Sequence, residues 1–181
     1  MKLVILDRDG TINQDSDQYI KSPAEWKPIP GSLEAIARLT QDGWRVAVAT
    51  NQSGIARGLF DMAALNAIHA EMHRAVNLAG GRIDAIFFCP HAADSGCECR
   101  KPKPGLLREI ASRMDVELAE VPMVGDSLRD LEAAAAAGAK QYLVLTGKGK
   151  KTRDAGGLPE GTEVFADLAA FTAQLVEQRA A

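Results

Sequence analysis

Short apolar runs and helical apolar stripes alternate along the chain. Residues 3–6 form one continuous apolar run, the pattern of a strand buried on both faces of a parallel sheet. Leu33, Ile36 and Ala37 then recur at helical spacing, and Gly43 marks a stop. Residues 44–49 read as a second buried strand that runs into Thr50-Asn51-Gln52-Ser53-Gly54. Leu65, Ile68, Met72 and Val76 share one face of a long helix closed by Gly80-Gly81. A third strand is expected over residues 83–88, and a helix through Leu106, Leu107, Ile110 and Met114. Residues 122–124 read as a short strand ending in Gly125-Asp126, followed by a helix through Leu128, Leu131, Ala134 and Ala135 that stops at Gly138. A fifth strand over 142–145 and a terminal helix over 171–176 complete the pattern, with residues 147–157 as a polar loop between them. His69 and His73 sit one position off the apolar row and read as part of a solvated helix face; Trp26 and Trp44 read as packing residues.

Strands alternating with helices imply right-handed βαβ units. The expected fold class is α/β: a three-layer, Rossmann-like parallel sheet with helices on both faces. The chain, residues 1–181, reads as a single domain, with no large cap domain inserted after Asp9 or Thr50. Ligands of such sheets bind at the carboxyl ends of the strands. The polar residues gather there: Asp7 and Asp9 after the first strand, Thr50 after the second, Asp126 after the fourth.

Composition narrows the partners. A formal net charge of −3 and a pI near 5.6 give no basic surface for nucleic acid. No apolar stretch reaches the roughly 20 residues a membrane helix needs, and the apolar start is too short for a signal peptide, so the protein reads as cytoplasmic. It reads as a monomer whose partner is a small molecule.

The candidate chemistry begins at Asp7-Arg8-Asp9-Gly10-Thr11. Side chains two apart in extended chain point the same way, so Asp7 and Asp9 can face one point. One carboxylate suits a nucleophile that accepts a phosphoryl group, the other a proton carrier. Asp126 is the third carboxylate for magnesium, which favours a few carboxylates, waters and phosphate oxygens. Asp130, one turn on, can contact the metal, orient its waters, or lie on the helix surface. Thr50 offers a hydroxyl, and Arg100 and Lys101 offer cations.

A second cluster, Cys89, His91, Cys97 and Cys99, uses every cysteine of the chain within 11 residues. A Cys₃His set suits tetrahedral structural zinc and would staple a loop too short and polar to order itself.

The ordered set Asp7-x-Asp9-Gly10-Thr11, Thr50 after an apolar strand, Lys101-Pro102, and Gly125-Asp126-x-x-x-Asp130 resembles the haloacid dehalogenase superfamily. The resemblance implies Asp7 as nucleophile and Asp9 as general acid/base. It implies magnesium on the Asp7 and Asp126 side chains and the Asp9 carbonyl, with Thr50 and Lys101 steadying the phosphoryl group. The string Thr50 to Gly58 (TNQSGIARG), the cysteine loop and Arg100-Lys101-Pro102-x-Pro104-Gly105 bring it closest to the D-glycero-D-manno-heptose 1,7-bisphosphate 7-phosphatases. That likeness implies hydrolysis of the C7 phosphate through an aspartyl-phosphate, in lipopolysaccharide or nucleotide-activated heptose synthesis. It also implies substrate contacts from Asp15, Ser16, Asp17, Gln18, Tyr19, Asn51, Gln52, Ser53 and Arg100. Arg8 is placed with them, with structural packing as the alternative. Ser127 departs from the family, whose members often carry Lys there. Histidinol-phosphate phosphatases share the first motif and a similar cysteine loop and remain an alternative, as does a non-catalytic phospho-acceptor module.

Overall fold

The computed structural model describes residues 1–178. Six strands form one sheet in the order β3-β2-β1-β4-β5-β6, and every pairing is parallel. They are β1 (Leu3–Leu6), β2 (Arg45–Asn51), β3 (Ala85–Cys89), β4 (Pro122–Gly125), β5 (Lys140–Val144) and β6 (Glu163–Phe165). The helices are α1 (Ser32–Gln41), α2 (Met62–Leu78), α3 (Gly105–Met114), α4 (Leu128–Ala137), α5 (Gly149–Ala155) and α6 (Leu168–Glu177).

The apolar run of β1 divides by the two-residue period of a strand. Val4 and Leu6 enter the core with α1, α2 and α6; Leu3 and Ile5 enter the opposite core with α3 and α4. Both faces are thus dry, and a strand in that position has no polar alternation to show. Trp26 and Trp44 are buried in the first core, as packing residues should be. On the α4 face the side chains are small. Ala133 and Ala134 share that core with Ala47 and Ala49, and the alanine-rich helix packs on β4 and β5.

The strand order reverses beside β1: the chain runs outward through β2 and β3, then returns to add β4 on the other side. Such a switch point opens a crevice beyond the strand ends. Asp7 leaves β1 and Asp126 leaves β4 at that crevice, and Leu6 pairs with Val124 immediately behind them.

Two elements differ from the sequence expectation. Residues 147–157 are not all loop, since α5 occupies most of them; Gly149, at its start, packs so tightly on the Val144 carbonyl that a Cβ there would overlap it. The short β6 extends the sheet edge through Leu143↔Val164.

Candidate active site

Three strand ends converge on a buried acidic cluster. The Asp7 amide donates to the Val124 carbonyl at 2.9 Å, which stitches the end of β1 to β4. Carboxylate oxygens of Asp7, Asp126 and Asp130 lie within 4.8 Å of one another, and all three residues are buried. Gly10 makes this approach possible: its φ of +84° suits glycine, and a Cβ there would overlap the Asp126 carboxylate.

Lys101 enters from the segment after the cysteine loop and is 2% exposed. Its ammonium donates to Asp7 Oδ1 (2.9 Å), Asp130 Oδ1 (2.6 Å) and the Ala49 carbonyl (2.7 Å). Asn51 holds its backbone twice: Asn51 Nδ2 donates to the Lys101 carbonyl (3.0 Å), and the Lys101 amide donates to Asn51 Oδ1 (3.1 Å). Asp130 is therefore no surface acid. Its Oδ1 takes the lysine, while Oδ2 accepts from the Ser127 amide (3.1 Å) and hydroxyl (2.7 Å) at the start of α4. It thus positions Lys101 and the start of α4, and its carboxylate lies in the same cluster as those of Asp7 and Asp126.

Three carboxylates face one ammonium, so the cluster carries two formal negative charges out of water. Burial, then Asp130, push the Asp7 carboxyl up to about 7, although Lys101 opposes the shift. Burial, then Asp7 and Asp130, push Asp126 up to about 8 against the Lys148 amide that donates to it. Lys101 moves the same way as its partners: burial disfavours its charge, but Asp130 and Asp7 outweigh it and hold the ammonium above its usual range. Burial raises both carboxyls first, and a shortage of positive charge among the three carboxylates adds to it. A hard divalent cation on carboxylate oxygens fills that shortage, and magnesium fits the set.

A pH dependence follows. Folding raises these carboxyl pKa values from 3.8, so between about 4 and 8 the native apo protein binds more protons than the unfolded chain. The cluster's contribution to apo stability thus falls as pH rises through that window. Magnesium displaces the protons, so the magnesium-induced rise in Tm is expected to be larger at pH 8 than at pH 6. Thermal unfolding with and without magnesium at both values checks this; an equal rise at both contradicts it.

Asp9 stands beside the cluster, anchored differently. Arg8 lies against both its carboxylate oxygens, Nε to Oδ1 at 3.0 Å and Nη2 to Oδ2 at 3.2 Å. Asn13 Nδ2 donates to Oδ1 (2.9 Å) and Gln52 Nε2 to Oδ2 (3.2 Å). Arg8 is fully buried behind Asp9 and does not line the cavity, which favours the packing alternative over a substrate contact. His69 is likewise not solvated. It is 8% exposed, and its Nε2 lies 3.1 Å from Arg8 Nη1.

The cavity above these groups measures about 320 Å³. The loop after β1 lines it with Asp15, Ser16, Asp17, Tyr19 and Ile20; the end of β2 adds Asn51, and the loop after it Gln52, Ser53 and Arg57. Thr50, Arg100 and Lys101 face it, as do Arg129 of α4 and Lys148 before α5. Gln18 lies outside, on a neighbouring depression with Lys21 and Glu25, because the chain turns over at Tyr19 (φ 67°). Arg57, Arg129 and Lys148 are cavity cations that sequence reasoning did not assign to the site. Lys148 pairs with Asp15 (3.3 Å) and Asp17 (3.7 Å), and the Arg57 guanidinium stands 6.0 Å from the Tyr19 ring.

The cysteine loop closes one side. Cys89 Sγ lies 3.0 Å from Cys99 Sγ and 3.7 Å from Cys97 Sγ; His91 Nδ1 is 3.5 Å from Cys89 Sγ and 3.2 Å from Cys99 Sγ. Four soft or borderline donors converging in this way fit a tetrahedral zinc ion. The loop is also seated on α3. The Gly105 amide donates to the Glu98 carbonyl (3.1 Å), and a Cβ at Gly105 would overlap that carbonyl. Arg100 and Lys101 follow directly, so the order of this loop sets where the buried ammonium points.

Comparison with known proteins agrees with this geometry. A family model described as "HAD-hyrolase-like" matches residues 98–171. The D-glycero-beta-D-manno-heptose-1,7-bisphosphate 7-phosphatase of Bordetella bronchiseptica is 65% identical, over 98% of this chain and 99% of that protein. This chain belongs to the heptose-bisphosphate phosphatase family of haloacid dehalogenase-like hydrolases. The same-named protein of Pseudomonas putida is 57% identical, over 97% of this chain and 100% of that one. The crystal structure of the B. bronchiseptica D,D-heptose 1,7-bisphosphate phosphatase, in complex with magnesium and phosphate, superposes with a TM-score of 0.97 at 65% identity, covering 98% and 99% of the two chains. The Burkholderia thailandensis D,D-heptose 1,7-bisphosphate phosphatase superposes at 0.79 with 56% identity, covering 97% and 99%. Membership of the phosphatase family makes the chain an enzyme; its carboxylate cluster is a set that fits magnesium and its cysteine loop one that fits zinc.

Proposed function

We propose that this chain hydrolyses the C7 phosphate of D-glycero-β-D-manno-heptose 1,7-bisphosphate, with Asp7 as nucleophile and Asp9 as general acid/base. The observation that carries the mechanism is the meeting of Asp7, Asp9, Thr50, Lys101 and Asp126 in one cavity at the switch point of the sheet. The curated names of the relatives support the substrate and its anomer.

An Asp7 oxygen attacks phosphorus as the bond from phosphorus to the C7 oxygen breaks, and Asp9 gives its proton to the departing alkoxide. The products of this step are the heptose 1-phosphate alcohol and phospho-Asp7. Asp9 then takes a proton from water as that water attacks the same phosphorus, releasing phosphate and restoring Asp7. The Thr50 hydroxyl and Lys101 ammonium hold the phosphoryl oxygens during both displacements. Asp7, Asp126 and the Asp9 carbonyl hold magnesium, which neutralises charge on the transferring group. The sugar lies along Asp15 to Tyr19, and the mouth cations Arg57, Arg100, Arg129 and Lys148 suit the phosphate left at C1.

The protein acts as a single-domain, monomeric enzyme of the cytoplasm. Among the described residues no helix is long and apolar enough to cross a membrane. Phosphate release with magnesium is compared on both heptose 1,7-bisphosphate anomers, histidinol phosphate and fructose 1,6-bisphosphate. The β anomer is expected to lead in kcat/KM by about 10²-fold, or about 2.7 kcal/mol. Preference for histidinol phosphate keeps the chemistry and overturns the substrate; no release from any of them overturns the enzyme reading.

A further inference from the structure

We propose that His69 is a positioning residue for the acid/base carboxylate Asp9, acting through Arg8. The inference rests on the reading of Asp9 given above.

Among the described residues Arg8 is the one neighbour that reaches both oxygens of Asp9, and it does so with one edge of its guanidinium. The remaining nitrogen, Nη1, meets His69 Nε2 at 3.1 Å. A guanidinium is a rigid plane, so the partner on Nη1 sets the orientation of the edge presented to Asp9. His69 is itself fixed. It projects from α2, is 8% exposed, and tilts against Phe88 with ring centroids 6.5 Å apart. The link spans 61 residues and ties α2 to the loop after β1.

The chemistry of this partner matters as much as its position. An Arg8 N–H can donate to Nε2 only if that nitrogen is unprotonated. Burial, then Arg8, keep the imidazole neutral, with its pKa near 3. A carboxylate in the same place would accept the hydrogen bond but draw the positive charge of Arg8 away from Asp9. A neutral acceptor satisfies Nη1 and leaves that charge to the catalytic carboxylate. Asp9 must serve two geometries, a departing alkoxide and an incoming water, so small misplacement is costly: about 1 Å can cost 10²-fold in rate. Asn13 and Gln52 also hold Asp9, so part of its orientation survives without His69.

Four variants test this, with kcat, KM and thermal unfolding measured on the heptose bisphosphate. His69→Leu removes the acceptor and is expected to lower kcat about tenfold with KM within about twofold, a partial form of the positional loss. His69→Gln, whose Oε1 can reach Arg8, is expected to recover most of that loss. His69→Asn keeps the polarity but is too short and is expected to behave like His69→Leu. This Gln–Asn pair carries the comparison if the Leu variant does not fold. Asp9→Asn is measured beside them. Its near-normal activity would sink the Asp9 reading itself. An inactive Asp9→Asn with His69→Leu and His69→Asn within twofold of wild type would sink only the His69 inference. Equal losses in the Gln and Asn variants, in step with Tm, would also overturn it, because they would mark a purely structural role.

Discussion

Asp7→Asn should abolish phosphate release while leaving a folded and, without magnesium, more stable protein. The amide oxygen is a poor nucleophile toward phosphorus and cannot form an acyl phosphate that water then opens. The expected loss is at least about 10³-fold in kcat, some 4 kcal/mol of transition-state stabilisation. Stability should move the other way. Asp7 shares its buried pocket with Asp126 and Asp130, and the one ammonium there already serves two carboxylates. Removing a negative charge of nearly unchanged shape relieves that repulsion, most strongly above pH 7, where the wild-type carboxyls ionise. Steady-state assay and thermal unfolding of the apo protein read both effects. Activity within tenfold of wild type would remove Asp7 from the role of nucleophile.

Lys101→Met should damage both activity and fold. The methionine fills the space of the lysine stem but supplies no charge. Asp7 and Asp130 would be left in a dry pocket without their cation, and breaking a buried pair from one side costs roughly 3–5 kcal/mol. For a chain of this length that corresponds to a fall in Tm of about 10 °C. Loss of a preorganised cation on the phosphoryl oxygens should lower kcat by about 10²–10³-fold as well. The stability defect has a sign that identifies its cause. Without Lys101 the Asp7 carboxyl holds its proton to higher pH, so acidification neutralises it and the gap between mutant and wild type should close toward pH 5. A gap that does not change between pH 8 and pH 5 would show that the lysine stem, not its charge, carries the effect.

The buried parallel strands were legible because each is an uninterrupted apolar run, and the rule that ligands sit at the carboxyl ends of such strands then drew Asp7, Thr50 and Asp126 together. The cysteine loop was legible for a different reason: metal donors crowd within a few residues of each other. His69 was not legible. It lies one position off the apolar row of α2, and what buries it is an arginine 61 residues earlier, a contact no local periodicity records. Asp130 was half legible, as a motif residue one turn into a helix, while its burial depends on Lys101 arriving from a separate segment. The segment that forms α5 is polar and glycine-rich; it folds because Gly149 can press against Val144 and because Thr152 donates to the Asp126 carbonyl at 2.8 Å. Arg129 gave no signal, since an arginine in the first turn of a helix has many uses.

The sheet order sets a timetable for synthesis. β1 carries the nucleophile and lies between β2 and β4. One flank can be covered once residue 51 has left the ribosome, but the other must wait for residues 122–125. Domains form as units while the chain is made at about 5–20 residues per second. For several seconds, then, the edge of β1 that β4 will cover is open to any strand that reaches it. Throughout that interval Asp7 lacks Asp126, and until residue 101 emerges it lacks Lys101 as well, so the nascent chain passes through this exposed stage before its active site is complete.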